Sequence, residues 1–213
     1  DSVASRGLGD VYKRQVGAGA VFGIEELGIL AAECGRSLAP LALSERLLVD
    51  GIVPSIMTAT ERARFDTDYR ASQSTVAPNQ CCALSLSENA DRVDGHIDWL
   101  TGFEGSERIV AFADTKSGRR CIALRTKEAG LRASGISSLD ATLPLHRVEC
   151  ASVPVLVLGE DTSRAIEDIF ESLKASEAGG ICERVLEITV EYAKTREQFG
   201  KPIGSFQAIQ QKL

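Results

Sequence analysis

Arg196, Gln198, Phe199 and Gln207 fall in one window, EYAKTREQFGKPIGSFQAIQQKL, which runs from Glu191 to Leu213. An arginine guanidinium is planar, permanently charged and forked, which suits a pyrophosphate. A surface salt bridge is its ordinary alternative. The amides of Gln198 and Gln207 can hydrogen-bond a ligand or stand as solvated helix residues. Phe199 offers a flat apolar face for stacking, or simply fills the core between helices. Gly200 and Pro202 turn the chain in either reading. A second group lies at Trp99, Thr101 and Gly102 in the run DGHIDWLTG. A lone tryptophan in a strand is ordinarily core, so Thr101 and Gly102 carry any functional reading there.

Other chemistries find little support. The six cysteines include no CxxC spacing, and His96 and His146 are not spaced as a metal pair. Small buried thiols in a reducing cytoplasm explain the cysteines better than zinc or a disulfide framework. Both histidines fall in strand-like runs and read as sheet residues. No Ser-His-Asp or Cys-His arrangement has local support. Glu191 and Glu197 read as helix-surface carboxylates. The net charge of −6 argues against nucleic acid as a main partner. No apolar run approaches the length of a membrane span.

The elements that must position these residues can be read from the period of the apolar positions. At 213 residues, with 44% hydrophobic and 25% charged residues, the chain has ordinary globular values. Ile24, Leu27, Ala31 and Cys34 share a helical face, with Gly35 as its end and Pro40 beyond it. A short helix is expected within 41–56, limited by Pro54. The stretch Thr58 to Asn79 reads as a loop or boundary. From Gln80 to Leu158 the period becomes two. The runs HIDWLTG, RIVAFAD, RCIALRT and VPVLVLG read as strands, with turns at DTKSGRR and at Asp94-Gly95. A long helix follows over Ser163 to Thr195, where Gly179 and Gly180 imply close packing against a neighbouring helix. FGKPIG breaks it, and Ser205 is placed to cap a further helix. The expected class is α+β, with an antiparallel β domain between helical parts. Residues 1–15 lack a period and read as a non-native tag, with a genuine N-terminal arm as the alternative. The expected divisions are a partial N-terminal helical domain at 16–79, a middle β domain at 80–160, and a truncated C-terminal helical domain at 161–213.

This order, ending in YAKTREQFGKPIGSFQAIQ, resembles the acyl-CoA dehydrogenase family. Tyr192, Arg196, Gln198, Phe199, Gly200, Pro202, Ile203 and Gln207 match its Y-x-x-x-R-x-Q-F-G-x-P-I-x-x-x-Q signature. DGHIDWLTG is similar to the family's N-G-x-K-x-W-I-T-N-G strand, and EELGILAAECGRSLAP to its E-E-L-G-R-x-L-A-P helix. The resemblance covers about Gly17 to Leu213. It implies FAD as cofactor, with Arg196 reaching the FAD of a neighbouring subunit. Phe199 would lie against the adenine, and Gln198 and Gln207 at adenine or phosphate groups. The strand bearing Trp99 and Thr101 would lie along the flavin ring near N5. The implied reaction is α,β-dehydrogenation of an acyl-CoA thioester, with hydride transfer to N5 and a glutamate base on helices beyond Leu213. A homo- or hetero-oligomer and an electron-transfer flavoprotein as acceptor are further implications.

The sequence also departs from the family pattern. ALSLSENADRVDGH stands where complete members carry T-E-P-x-A-G-S-D, and Ser85 and Ser87 occupy part of that edge. Glu171 stands where many members place an arginine near CoA, which reverses a charge. These departures resemble divergent bacterial members acting on steroid or other bulky acyl-CoA substrates in lipid catabolism. Three readings follow: a truncated, FAD-dependent acyl-CoA dehydrogenase; a non-catalytic subunit that lends flavin contacts to a partner; and an interaction module without flavin. For a truncated chain, apolar helix surface is expected to lie exposed.

Overall fold

The computed structural model describes residues 23–39, 45–46, 48–67 and 73–213; the expectations for 1–15 and Pro40 lie outside them. Helix α1 spans Ile24–Ser37. Leu27, Ala31 and Gly35 recur every fourth residue on its buried face, and Glu25 and Glu26 suit its positive N-terminal end. The helix passes Gly35 and closes at Leu38, which takes a left-handed conformation at φ 49°. Gly35 is therefore a contact residue and not the helix end. A π turn at Leu48–Ile52 leads into α2, Val53–Ile56. Pro54 opens α2 instead of limiting it, since a proline in the first turn removes an N–H that has no helical partner. The expected loop after Thr58 holds helix α3, Ala59–Thr67, and strand β1, Ser74–Val76. The polar text hid α3 because Phe65 is its one buried residue.

The strands that follow are β2 (Cys82–Leu86), β3 (Arg92–Thr101), β4 (Arg108–Thr115), β5 (Gly118–Arg125), β6 (Leu131–Ile136), β7 (Leu145–Pro154) and β8 (Leu156–Val157). They form one sheet in the order β6-β7-β3-β2-β4-β5-β8, with β1 also paired to β4. The sheet is mixed and not purely antiparallel, because β4 runs parallel to both β1 and β2. Ile109 to Ala113 on β4 are all buried, as expected of a central strand covered on both faces. The β4–β5 turn falls at the expected DTKSGRR loop, with Thr115 opposite Gly118. Asp94-Gly95, expected as a turn, lies within β3. Gly95 has φ +124°, and a Cβ there would sit 2.1 Å from the Ala83 carbonyl oxygen. The pair marks a bulge where the β3–β7 register shifts.

Helix α4 runs unbroken over Glu160–Thr195. Its first half packs on the sheet through Ile166, Phe170 and Leu173, and Ser163 Oγ accepts the Cys121 N–H at 2.8 Å. Its middle crosses α1. A Cβ at Gly180 would lie 1.9 Å from the Ala32 carbonyl oxygen, and one at Gly35 would lie 2.0 Å from that of Glu177. The two backbones touch, which is the compensation for a glycine inside a helix. Gly179 has open space around it. Arg36 forks onto Glu187 at 2.8 and 3.1 Å, tying the crossing together at its rim.

After α4 come the two-residue strands β9 (Glu197–Gln198) and β10 (Lys201–Pro202), a 3₁₀ turn at Ile203–Ser205, and the one-turn helix α5, Gln207–Gln210. Phe206, not Ser205, occupies the N-cap of α5; the Ser205 hydroxyl instead donates to the Pro202 carbonyl at 2.7 Å. Among the described residues no helix is long and apolar enough to cross a membrane.

Candidate functional site

Trp99 and Thr101 stand at the end of β3, and a second bulge decides which way they face. Ile97 and Leu100 are both fully buried, although strict alternation would place residues three apart on opposite faces. The β3–β7 register shift between Ile97 and Leu100 resolves this. It turns Leu100 inward and leaves Trp99 outward, 41% exposed. Trp99 is thus not the core residue that a lone strand tryptophan ordinarily is. Thr101, two residues on, is half-buried and held at both ends. Thr75 Oγ1 donates to its carbonyl at 2.8 Å, and its own hydroxyl donates to Glu45 Oε1 at 3.0 Å.

Glu45 is 2% exposed and pairs with Lys174 Nζ at 2.8 Å. The same ammonium reaches Glu177 Oε2 at 2.9 Å. Burial works to lower the Lys174 pKa, but Glu45 and Glu177 outweigh it and raise the ammonium above its ordinary value. Sequence reading missed Thr75, Glu45 and Lys174. The available signal was Lys174 at four residues from Phe170, a cation on an apolar helix face.

Beside Thr101, Gly102 turns the chain at φ 66°. The Phe103 ring meets His146 at 5.2 Å between centroids. His146 on β7 has Nε2 3.5 Å from Glu104, and His96 lies in β3, 3.3 Å from Asp98. The buried thiols are poor nucleophiles. Burial pushes Cys82 and Cys150 up to about 11, Cys81 to about 12, and Cys121 upward as well. Cys182, in contrast, is exposed. No group of three His, Cys, Asp or Glu among the described residues is placed to hold a metal. Ser87 is used by the β2–β3 turn, where its hydroxyl donates to Asp91 Oδ1 at 2.9 Å and accepts the Arg92 N–H at 3.1 Å.

The second cluster is the hairpin at the far end of α4. Lys201 pairs with Gln198 and Pro202 with Glu197, leaving Phe199-Gly200 as a two-residue loop. Both central residues have positive φ, 54° and 77°, the pattern of a type I′ turn. Glycine adopts this freely; phenylalanine at such a φ costs about 1–3 kcal/mol. The ring is nevertheless 92% exposed and meets the Phe206 ring edge-on at 6.2 Å between centroids. Arg196 and Gln207 are exposed, and Gln198 Nε2 donates to the Glu197 carbonyl at 2.8 Å. The Arg196 guanidinium has no hydrogen-bond or ion-pair partner among the described residues. The hairpin is docked on α4 by Gly204, where a Cβ would lie 3.0 Å from the Ala193 carbonyl oxygen.

The helix keeps the clusters apart. Lys174 marks the Thr101 end, and Arg196 follows 22 residues later, about 33 Å along an α-helix at 1.5 Å per residue. One chain does not bring Arg196, Gln198, Phe199 and Gln207 together with Trp99 and Thr101. One cluster offers an apolar plane and a hydroxyl, the other a forked cation and an aromatic ring.

Residues 173–213 match the family model for the acyl-CoA dehydrogenase C-terminal domain. Acyl-CoA dehydrogenase IpdE2 of Mycobacterium tuberculosis is 30% identical over 202 residues, covering 93% of this chain and 57% of that protein. Acyl-CoA dehydrogenase FadE34 of the same organism is 47% identical over 74 residues, which are 35% of this chain and 10% of that protein. The chain thus spans little more than half, or less, of these relatives. Among solved structures, the Tcur3481–Tcur3483 steroid ACAD variant superposes with a TM-score of 0.81 at 24% identity, over 99% of this chain and 61% of that one. The ChsE4–ChsE5 complex of Mycobacterium tuberculosis gives 0.76 at 22% identity, over 90% and 56%. The chain has the acyl-CoA dehydrogenase fold, and the match over residues 173–213 and the mycobacterial relatives support its membership of that family.

Proposed function

We propose that this chain supplies flavin-binding parts of an FAD-dependent acyl-CoA dehydrogenase, in which two chains complete each cofactor site. The observation that carries the reading is the exposed Arg196–Phe199 hairpin. It spends backbone strain on holding an aromatic ring in solvent beside a guanidinium with no partner among the described residues. FAD, when bound, accepts the hydride at N5 as an acyl-CoA thioester loses its α-proton to a carboxylate. Within the chain, Trp99 and Thr101 present an apolar plane and a hydroxyl to the flavin ring. Arg196 neutralises the pyrophosphate of the cofactor on a neighbouring subunit, with Phe199 against its adenine and Gln198 and Gln207 at its polar edges. The base comes from outside these clusters, since Glu191 is paired with Lys194 at 2.8 Å and Glu45 is committed to Thr101 and Lys174.

The steroid ACAD match and the exposed Glu171, in place of an arginine near CoA, favour a bulky acyl-CoA substrate. A second reading, a non-catalytic subunit lending its hairpin to a catalytic partner, is favoured by the likeness to the ChsE4–ChsE5 complex. Flavin absorbance of the purified protein tests both against a flavin-free module. Arg196→Ala is expected to weaken FAD binding about tenfold or more, the worth of a charged hydrogen bond. Unchanged FAD affinity in that variant sinks the role of the hairpin.

A further inference from the structure

Thr101 has one hydroxyl proton, and the structure commits it. Its Oγ1 donates to Glu45 Oε1 at 3.0 Å, and that oxygen also receives Lys174 Nζ at 2.8 Å. A carboxylate facing an ammonium keeps its charge and can only accept. A hydroxyl is one donor with two acceptor lone pairs. The remaining capacity of Thr101, on its half-exposed side, is therefore accepting alone. The residue cannot tilt away, because Thr75 Oγ1 holds its carbonyl at 2.8 Å. Glu177, 2.9 Å from Lys174, fixes the ammonium from the other side.

We propose that Glu45 is a positioning residue that makes Thr101 a hydrogen-bond acceptor toward the cofactor, so that the site favours a cofactor edge bearing N–H over one bearing a lone pair. This rests on the flavin reading above. The N5 edge of a flavin is a bare nitrogen when oxidised and an N–H when reduced. An acceptor-only threonine thus binds the reduced form better and raises the two-electron potential. Charge alone predicts the opposite sign, since a carboxylate near a flavin disfavours added electrons. That opposition makes the inference separable from a simple electrostatic effect.

The test compares the reduction potential of the FAD-loaded protein with that of three variants, using circular dichroism to confirm folding. Glu45→Met keeps volume but removes the acceptor, and Lys174 retains Glu177. The preference for reduced over oxidised FAD is expected to fall about tenfold, near 30 mV for a two-electron couple. Glu45→Gln is expected to keep or exceed the wild-type potential, since its amide oxygen still accepts the Thr101 proton while the negative charge is gone. Thr101→Val leaves the Glu45–Lys174 pair intact and is expected to lower the potential; it decides the matter if Glu45→Met does not fold. A folded, FAD-loaded Glu45→Met with an unchanged or higher potential overturns the inference, as does an unshifted Thr101→Val. A Glu45→Gln variant that falls as far as Glu45→Met overturns it too. A wild-type protein that takes up no FAD overturns the flavin reading and this inference together.

Discussion

Phe199 shows how far residue identity alone carries a site. Its spacing from Arg196 and Gly200 is legible in the sequence, but its left-handed backbone is not, because a turn before glycine can be built several ways. The structure fixes φ at 54° with the ring in solvent. These two facts make opposite predictions for a change to glycine, depending on what the ring does. Were the ring core filling, its removal would cost about 3–5 kcal/mol. For an exposed, strained residue, Phe199→Gly is expected to leave thermal stability unchanged or raise it by about 1 kcal/mol. FAD uptake should nevertheless weaken. A melting curve and an FAD titration of the same variant check both halves, and a large fall in melting temperature would show the ring to be buried packing. Glu45 and Lys174 teach the converse lesson. Each is an ordinary charged residue in a helical pattern, and only the fold reveals that Glu45 meets Thr101 across 56 residues of chain and that Lys174 meets Glu45.

At the scale of elements, periodicity located the long helix and the strands of the sheet, and it failed wherever two elements approach by backbone. Gly35 read as a helix end because glycine favours that role, yet it lies inside α1 facing Glu177. Gly180 was legible as a close contact, though its partner, Ala32, was not. Asp94-Gly95 read as a turn because bulges and turns recruit the same residues. The crossing yields a direct prediction. A methyl at Gly180 would meet backbone at 1.9 Å, which no rotamer change relieves. Gly180→Ala is expected to destabilise by about 1–3 kcal/mol or more through forced separation of α1 and α4. Gly179→Ala, with nothing within 4 Å, should stabilise by up to about 1 kcal/mol through helix propensity. Denaturant melts of the two variants give opposite signs if the crossing is as described. Equal effects would contradict it.

The whole molecule is least symmetric along α4. Its first half is apolar toward the sheet and α1, while Val185, Leu186, Ile188 and Tyr192 in its second half are exposed. They share that stretch with Arg184, Glu187 and Glu191, which line an open surface depression together with Ile188 and Leu186. No periodic reading separates these residues from the buried ones, since Ile181, Val185, Ile188 and Tyr192 follow a proper helical face. What distinguishes them is the absence of a covering element among the described residues. Contiguous apolar surface of this kind drives association or dye binding. The 213-residue chain alone is therefore expected to self-associate with concentration in sedimentation and to bind a hydrophobic dye. Replacing Val185 and Ile188 by glutamate should reduce both while leaving helix content intact, because neither side chain contributes to the core. A wild-type chain that sediments as a dye-silent monomer would show that this face is stable in water. The hairpin at Arg196 would then be carried on a free helix and not on one built to be covered.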